Sequence, residues 1–191
     1  MGYLLPSLRL CNYYCFLFSC CCFFLIMNPT TGTGAGQPSE LVSSICKNTT
    51  NYRFCVESLY SDPRTPTADS YVLAYVSFDL AYLNASHTED YIDMLLNNTT
   101  ADCDSRLLQR LQRCSSFYGG AISALSQAVN DLDSETYSKL ARLAGVAVHE
   151  ACDCEAIFQG HSPFTLSRMN HDLRGLSKIC VVISHLFTVS V

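Results

Sequence analysis

Tryptophan is absent from this 191-residue chain, and charge is scarce: Asp, Glu, Lys and Arg together make up 15% of the residues. No run of Lys or Arg occurs, and a formal net charge of -5 has the wrong sign for a nucleic-acid footprint. Also missing are the glycine loops that cradle phosphates or dinucleotides, the Gly-x-Ser-x-Gly elbow and the His-Glu-x-x-His zinc pair. No stretch alternates apolar and polar residues long enough to build a sheet. Wholesale disorder is excluded too, because 49% of the residues are apolar and a sizeable core is within reach. The length fits one domain, or one domain with a small appendage.

The first stretch is of a different kind. Met1–Pro38 holds a single charged side chain, Arg9, followed by the apolar run Cys11–Met27 and the small-residue tract Thr30–Gly36. That order predicts a secretory signal peptide over residues 1–36, cleaved near 34–36, ahead of one domain over 37–191. An uncleaved anchor is the competing reading, since Leu4–Met27 approaches the ~20 residues of a membrane helix. Arg9 interrupts that run and no stop-transfer charges follow, so stable membrane insertion after cleavage is not expected. Export gives meaning to four Asn-x-Ser/Thr sequons, at Asn48, Asn84, Asn97 and Asn98.

A rhythm of threes and fours runs through the rest. Leu107, Leu111, Cys114, Tyr118, Ala121, Leu125, Ala128 and Leu132 share one helical face. Tyr137, Leu140, Ala144, Ala147, Ala151, Cys154 and Phe158 share a second, and Met169, Leu173, Leu176, Cys180, Ile183 and Phe187 a third. Tyr71, Ala74, Phe78, Ala81 and Ala85 give a shorter upstream version. Four such faces bury one another, and short loops force antiparallel neighbours: an all-α, up-down-up-down four-helix bundle. Thr67, Asp133 or Ser134, and Ser162 before Pro163 are the expected caps.

Five of the 12 cysteines leave with the leader and seven remain. Cys114 and Cys154 lie at equal distances from a fold-back near residue 134, both on inward seams, so a disulfide there is natural. Cys46 and Cys55 flank a short loop between Leu41–Ile45 and Val56–Tyr60, where a second bridge would staple an N-terminal helical hairpin. Cys180 lies too far from Cys152 along the helices to pair and reads as a core thiol. Cys103, ahead of the second long helix, is left over.

The remaining chemistry is thin. His149 and Cys152 share a face as metal ligands would, but two further ligands are missing and Cys154 is better used in the bridge. The carboxylate pairs Asp131/Asp133 and Glu89/Asp90 fall at expected helix ends or loops rather than in a cleft. Tyr71, Tyr75 and Tyr82 form a row that is either core or partner-binding surface.

In order along the chain, Cys46…Tyr52-Arg-Phe-Cys55-Val-Glu-Ser-Leu, Ser61-Asp-Pro-Arg64, Leu111-Gln-Arg-Cys114-Ser-Ser-Phe-Tyr118, Cys154-Glu-Ala-Ile-Phe158 and Ser162-Pro-Phe-Thr165 resemble the plant invertase inhibitor and pectin methylesterase inhibitor family. The resemblance implies a four-helix bundle with an N-terminal hairpin, the two disulfides Cys46–Cys55 and Cys114–Cys154, and no cofactor. It also implies secretion to the cell wall, or delivery to the vacuole. The partner it implies is an acid invertase, whose cleft is plugged, or a pectin methylesterase, whose groove is covered. Ser61-Asp-Pro-Arg64 leans toward invertase, whereas the Pro-Lys-Phe motif of some invertase inhibitors is absent. The stretch in its place is Glu135–Lys139, with Tyr137, Ser138 and Lys139 as the target contacts. A non-inhibitory structural or signalling module on the same scaffold is the alternative of another class.

Overall fold

The computed structural model describes residues 37–99 and 101–188, and the leader read from residues 1–36 lies outside them. All regular structure among the described residues is helical. Two short helices, α1 (Glu40–Lys47) and α2 (Tyr52–Tyr60), precede four long ones: α3 (Ser70–Asn98), α4 (Ala101–Asp133), α5 (Leu140–Ile157) and α6 (Phe164–Ser184). Each long helix packs on its neighbours in sequence, and α6 closes the ring on α3. That is the up-down-up-down bundle.

Alanine explains how the rods approach so closely. Ala74, Ala81 and Ala85 on α3, Ala121 and Ala128 on α4, and Ala144, Ala147 and Ala151 on α5 are all buried along the seams. Phe78, Tyr118 and Phe158 fill the space that this small-residue seam leaves elsewhere. Cys114 and Cys154 meet inside it with Cα atoms 4.8 Å apart and are bonded. Cys46 and Cys55, 5.5 Å apart, are bonded across the α1–α2 turn. Cys180 is buried, and burial pushes its thiol up to about 12, so it is an inert core group.

One seam is polar where the apolar rhythm predicts Met169. Asn170 is buried instead, with Leu166 a turn before it, and Met169 stays half-buried. The Tyr118 hydroxyl donates to Asn170 Oδ1 at 2.8 Å, and Asn170 Nδ2 donates to Glu155 Oε2 at 2.7 Å. Ser167 Oγ donates to the other carboxylate oxygen at 2.8 Å. Asn170 is therefore tolerated because α4 and α5 satisfy both ends of its amide.

Other boundaries also differ from expectation. Cys103 lies within α4 rather than before it, because Ile92, Leu95 and Leu96 carry α3 on to Asn98 and α4 begins at Ala101. Its thiol lies outside the described atoms. Glu89 and Asp90 consequently sit inside α3, not at an end. Asp69, not Thr67, caps α3 by accepting from the Val72 N–H at 2.9 Å, while Thr67 lies in a 3-10 turn. The last helix starts at Phe164, since Pro163 keeps an extended ψ of 131° and Ser162 Oγ bonds to nothing among the described residues.

The hairpin docks on α6 and α3. Ser39 and Asn51 cap its two helices by accepting from the Val42 and Phe54 N–H groups. Gly175 is the docking point: a Cβ built there would lie 2.6 Å from Phe54 Cε1. A helix-interior glycine costs about 1 kcal/mol relative to alanine, and here the ring takes the room it leaves. Gly175→Val is therefore expected to lower stability by about 1–3 kcal/mol and to loosen the hairpin. Thermal unfolding and the rate at which Cys46–Cys55 is reduced check this. Adding Phe54→Ala should recover part of the loss.

Candidate functional site

The end of the bundle where α4 gives way to α5 carries the predicted contact residues. Its turn is built by backbone geometry. The Glu135 N–H donates to the Leu132 carbonyl at 3.0 Å and the Thr136 N–H to that of Asp131 at 2.7 Å. Glu135 between them takes φ = 53°, so the pair of bonds forms a Schellman ending without the usual glycine. A 3-10 turn, Tyr137–Lys139, then leads into α5, which has no side-chain cap. Neither expected cap is available. Asp133 is held by Tyr75, and the Ser134 hydroxyl donates back to the Asn130 carbonyl at 2.7 Å.

Four aromatic rings brace that turn from three elements. Tyr137 stacks on Phe187 with centroids 4.8 Å apart and planes at 29°, and meets Tyr71 edge-on at 6.2 Å. Tyr71 donates from its hydroxyl to the Leu132 carbonyl at 2.8 Å. Tyr75, 5.3 Å from Tyr71, donates to Asp133 Oδ1 at 2.6 Å. The Asp133 carboxylate, with desolvation, holds the Tyr75 phenol well above its usual range. Tyr137 is raised too, by desolvation first and then by Tyr71. Both phenols therefore stay neutral through mildly acidic and neutral pH. The Asp133 carboxylate also lies at the C-terminal end of α4, where the helix dipole disfavours it, so the phenol supplies what the dipole does not.

Ser138 and Lys139 stand exposed on this braced turn. The Lys139 ammonium has no hydrogen-bond or ion-pair partner among the described residues. Phe187 belongs to the site and was read from the sequence only as core. The tyrosine row divides: Tyr71 and Tyr75 are half-buried braces, and Tyr82 is exposed further along α3. Ser61-Asp-Pro-Arg64 has a structural job. Arg64 grips Asp62 through Nε and Nη2 at 2.9 and 2.7 Å and reaches Asp79 on α3 at 3.1 Å, which ties the hairpin exit to the bundle.

The other residues singled out earlier are scattered. Asn48 is exposed at the end of α1, and Asn97 and Asn98 are exposed at the end of α3. Asn84 is half-buried in mid-helix, with its Oδ1 enclosed and unbonded among the described residues. Cys154 is occupied by its bridge, and among the described residues no three His, Cys, Asp or Glu side chains are grouped to hold a metal. No described helix is long and apolar enough to cross a membrane.

The whole is a disulfide-bonded helical bundle with an exposed lysine on the braced turn at one end. The chain belongs to the plant invertase/pectin methylesterase inhibitor family, which it matches over residues 40–183. The family is one of inhibitors, not enzymes. The chain is 36% identical over 150 residues to a pectinesterase inhibitor of Actinidia deliciosa, covering 78% of this chain and 80% of that one. It is 35% identical over 150 residues to the cell wall / vacuolar inhibitor of fructosidase 2 of Arabidopsis thaliana, covering 76% and 81%. The crystal structure of a mutant form of a pectin methylesterase inhibitor from Arabidopsis superposes with a TM-score of 0.67 at 22% identity, over 76% of this chain and 95% of that one. That last likeness establishes the fold.

Proposed function

We propose that this chain is exported by a leader within residues 1–36 and inhibits an acid invertase of the cell wall or vacuole by seating its Tyr137–Lys139 end in the enzyme's cleft. Lys139 is the observation that carries this reading. It is an exposed cation on a backbone stiffened by the stack of Tyr137 on Phe187, with no partner of its own among the described residues. A glycosidase cleft holds a pair of carboxylates, to which an ammonium is complementary. The braced turn has little backbone freedom left to lose on docking, which favours affinity. The likeness to the Arabidopsis inhibitor of fructosidase supports the invertase reading. Likeness to the Actinidia pectinesterase inhibitor favours pectin methylesterase as the second reading. Exposure favours Asn48 and one of Asn97 and Asn98 as glycan acceptors over the half-buried Asn84.

Titrating the oxidised protein into acid invertase and into pectin methylesterase at mildly acidic pH separates the two. The expected result is stoichiometric loss of invertase activity with the esterase untouched. Loss of esterase activity alone selects the second reading. Full activity in both assays contradicts inhibition and leaves the scaffold as a non-inhibitory binding module.

A further inference from the structure

We propose that the groove between the α1–α2 turn and α6 is a second binding site, for a linear carboxylated oligosaccharide. Three basic side chains line it from one helix: His171, Arg174 and Lys178 stand at i, i+3 and i+7 on one face of α6. Thr50 and Asn51 of the turn face them across a cavity of about 60 Å³. Phe54, seated against Gly175, completes the lining. His171 and Arg174 also line an adjoining depression of about 190 Å³, which the Glu155 carboxylate borders on the far side from Lys178's cavity.

Charge bookkeeping makes the groove exceptional in an acidic protein. Arg174 and Lys178 make no side-chain hydrogen bond or ion pair among the described residues. Two carboxylates lie close by. Asp172 approaches His171 Nδ1 at 3.8 Å, and Glu155 has both oxygens engaged by Ser167 and Asn170. Neither pairs with Arg174 or Lys178. The lining of the cavity itself carries these two cations and no carboxylate, so it is positive although the whole chain carries -5.

The arrangement selects a ligand class. A guanidinium fork matches a carboxylate in two-point geometry, and an ammonium adds a second charge. Seven residues of helix rise separate His171 from Lys178 by about 10 Å, with Arg174 between them. A single small anion would use one of these groups. A chain with carboxylates at intervals uses them in turn, and the Phe54 ring offers an apolar face for a sugar ring. De-esterified pectin has this chemistry, whereas its methyl ester has lost the charge. Arg174 is about 15 Å along α6 from the end of that helix at Ser184, so the site stands whichever enzyme the other end engages.

Calorimetry of the intact, oxidised protein with a de-esterified galacturonate oligomer tests it, with the fully methyl-esterified oligomer as comparison. Binding of the acid form alone is expected. It should weaken at least fivefold in R174A/K178A and again when salt shortens the Debye length from about 8 Å to about 3 Å. The double variant should keep its melting temperature and its inhibition of the target enzyme. No binding by the wild-type protein, equal binding of ester and acid, or wild-type affinity in a folded R174A/K178A protein would each overturn the proposal.

Discussion

Replacing Cys114 and Cys154 together with alanine is expected to lower stability by about 4 kcal/mol. The bridge closes a loop of about 41 residues, and on the chain-entropy estimate that constraint on the unfolded chain is worth this much. For a protein of this size the loss corresponds to a fall in melting temperature of roughly 8–16 °C. Helix content should survive at low temperature, because the alanine seams and the buried Phe78, Tyr118 and Phe158 still hold the rods together. The same change at Cys46 and Cys55 should cost about 2.7 kcal/mol, since the loop there is shorter. Its effect should be confined to the hairpin, which reaches the bundle through Phe54 on Gly175 and through Arg64 to Asp79. Circular-dichroism melts of the two variants check both values. Equal losses, or a C114A/C154A midpoint within a degree or two of wild type, would contradict the picture of one bridge riveting the bundle and the other stapling an appendage.

Lys139→Glu is expected to weaken inhibition tenfold to a hundredfold, which corresponds to about 1.4–2.8 kcal/mol of binding free energy. Reversing the cation on the proposed contact turn converts attraction to the target's carboxylates into repulsion. Fold stability should not fall with it. The side chain is exposed and bonds to nothing among the described residues, and a carboxylate next to the first turn of α5 suits the helix dipole. That separation of binding from stability is the useful feature of this variant. Tyr137→Ala, by contrast, removes the stack on Phe187 and the edge contact with Tyr71, so it should lose some of each. Inhibition constants beside melting curves distinguish the two behaviours. An unchanged inhibition constant for Lys139→Glu would move the docking surface elsewhere on the bundle.

The bundle was legible because its information is local. Steps of three and four from Leu107 to Leu132, and from Leu140 to Phe158, depend only on helical geometry, and nearly all of those side chains are buried. The disulfides were legible for a related reason, since equal distances from a turn set equal heights. What escaped depends on partners distant in sequence. Asn170 is a core residue only because Tyr118 and Glu155 converge on it, and no apolar rhythm selects an asparagine. The caps failed likewise: Asp133 is a plausible cap until Tyr75 takes its carboxylate. At the proposed contact end the sequence yielded the tripeptide Tyr137–Lys139 but not its brace, because Phe187 comes from the 3-10 turn after α6 and Tyr71 from the start of α3. The groove on α6 was invisible for the same reason. Its basic side chains carry no motif of their own, and only the fold lays Phe54 and the α1–α2 turn beside them.

Hydrogen exchange measured along the chain, with and without one equivalent of the inhibited enzyme, tests the docking claim most directly. Slowed exchange is expected over residues 133–140 and around Phe187 when enzyme is bound, with the α1–α2 turn and the middle of α6 unchanged. Protection confined to other segments, with residues 133–140 exchanging as fast as in the free protein, would contradict it.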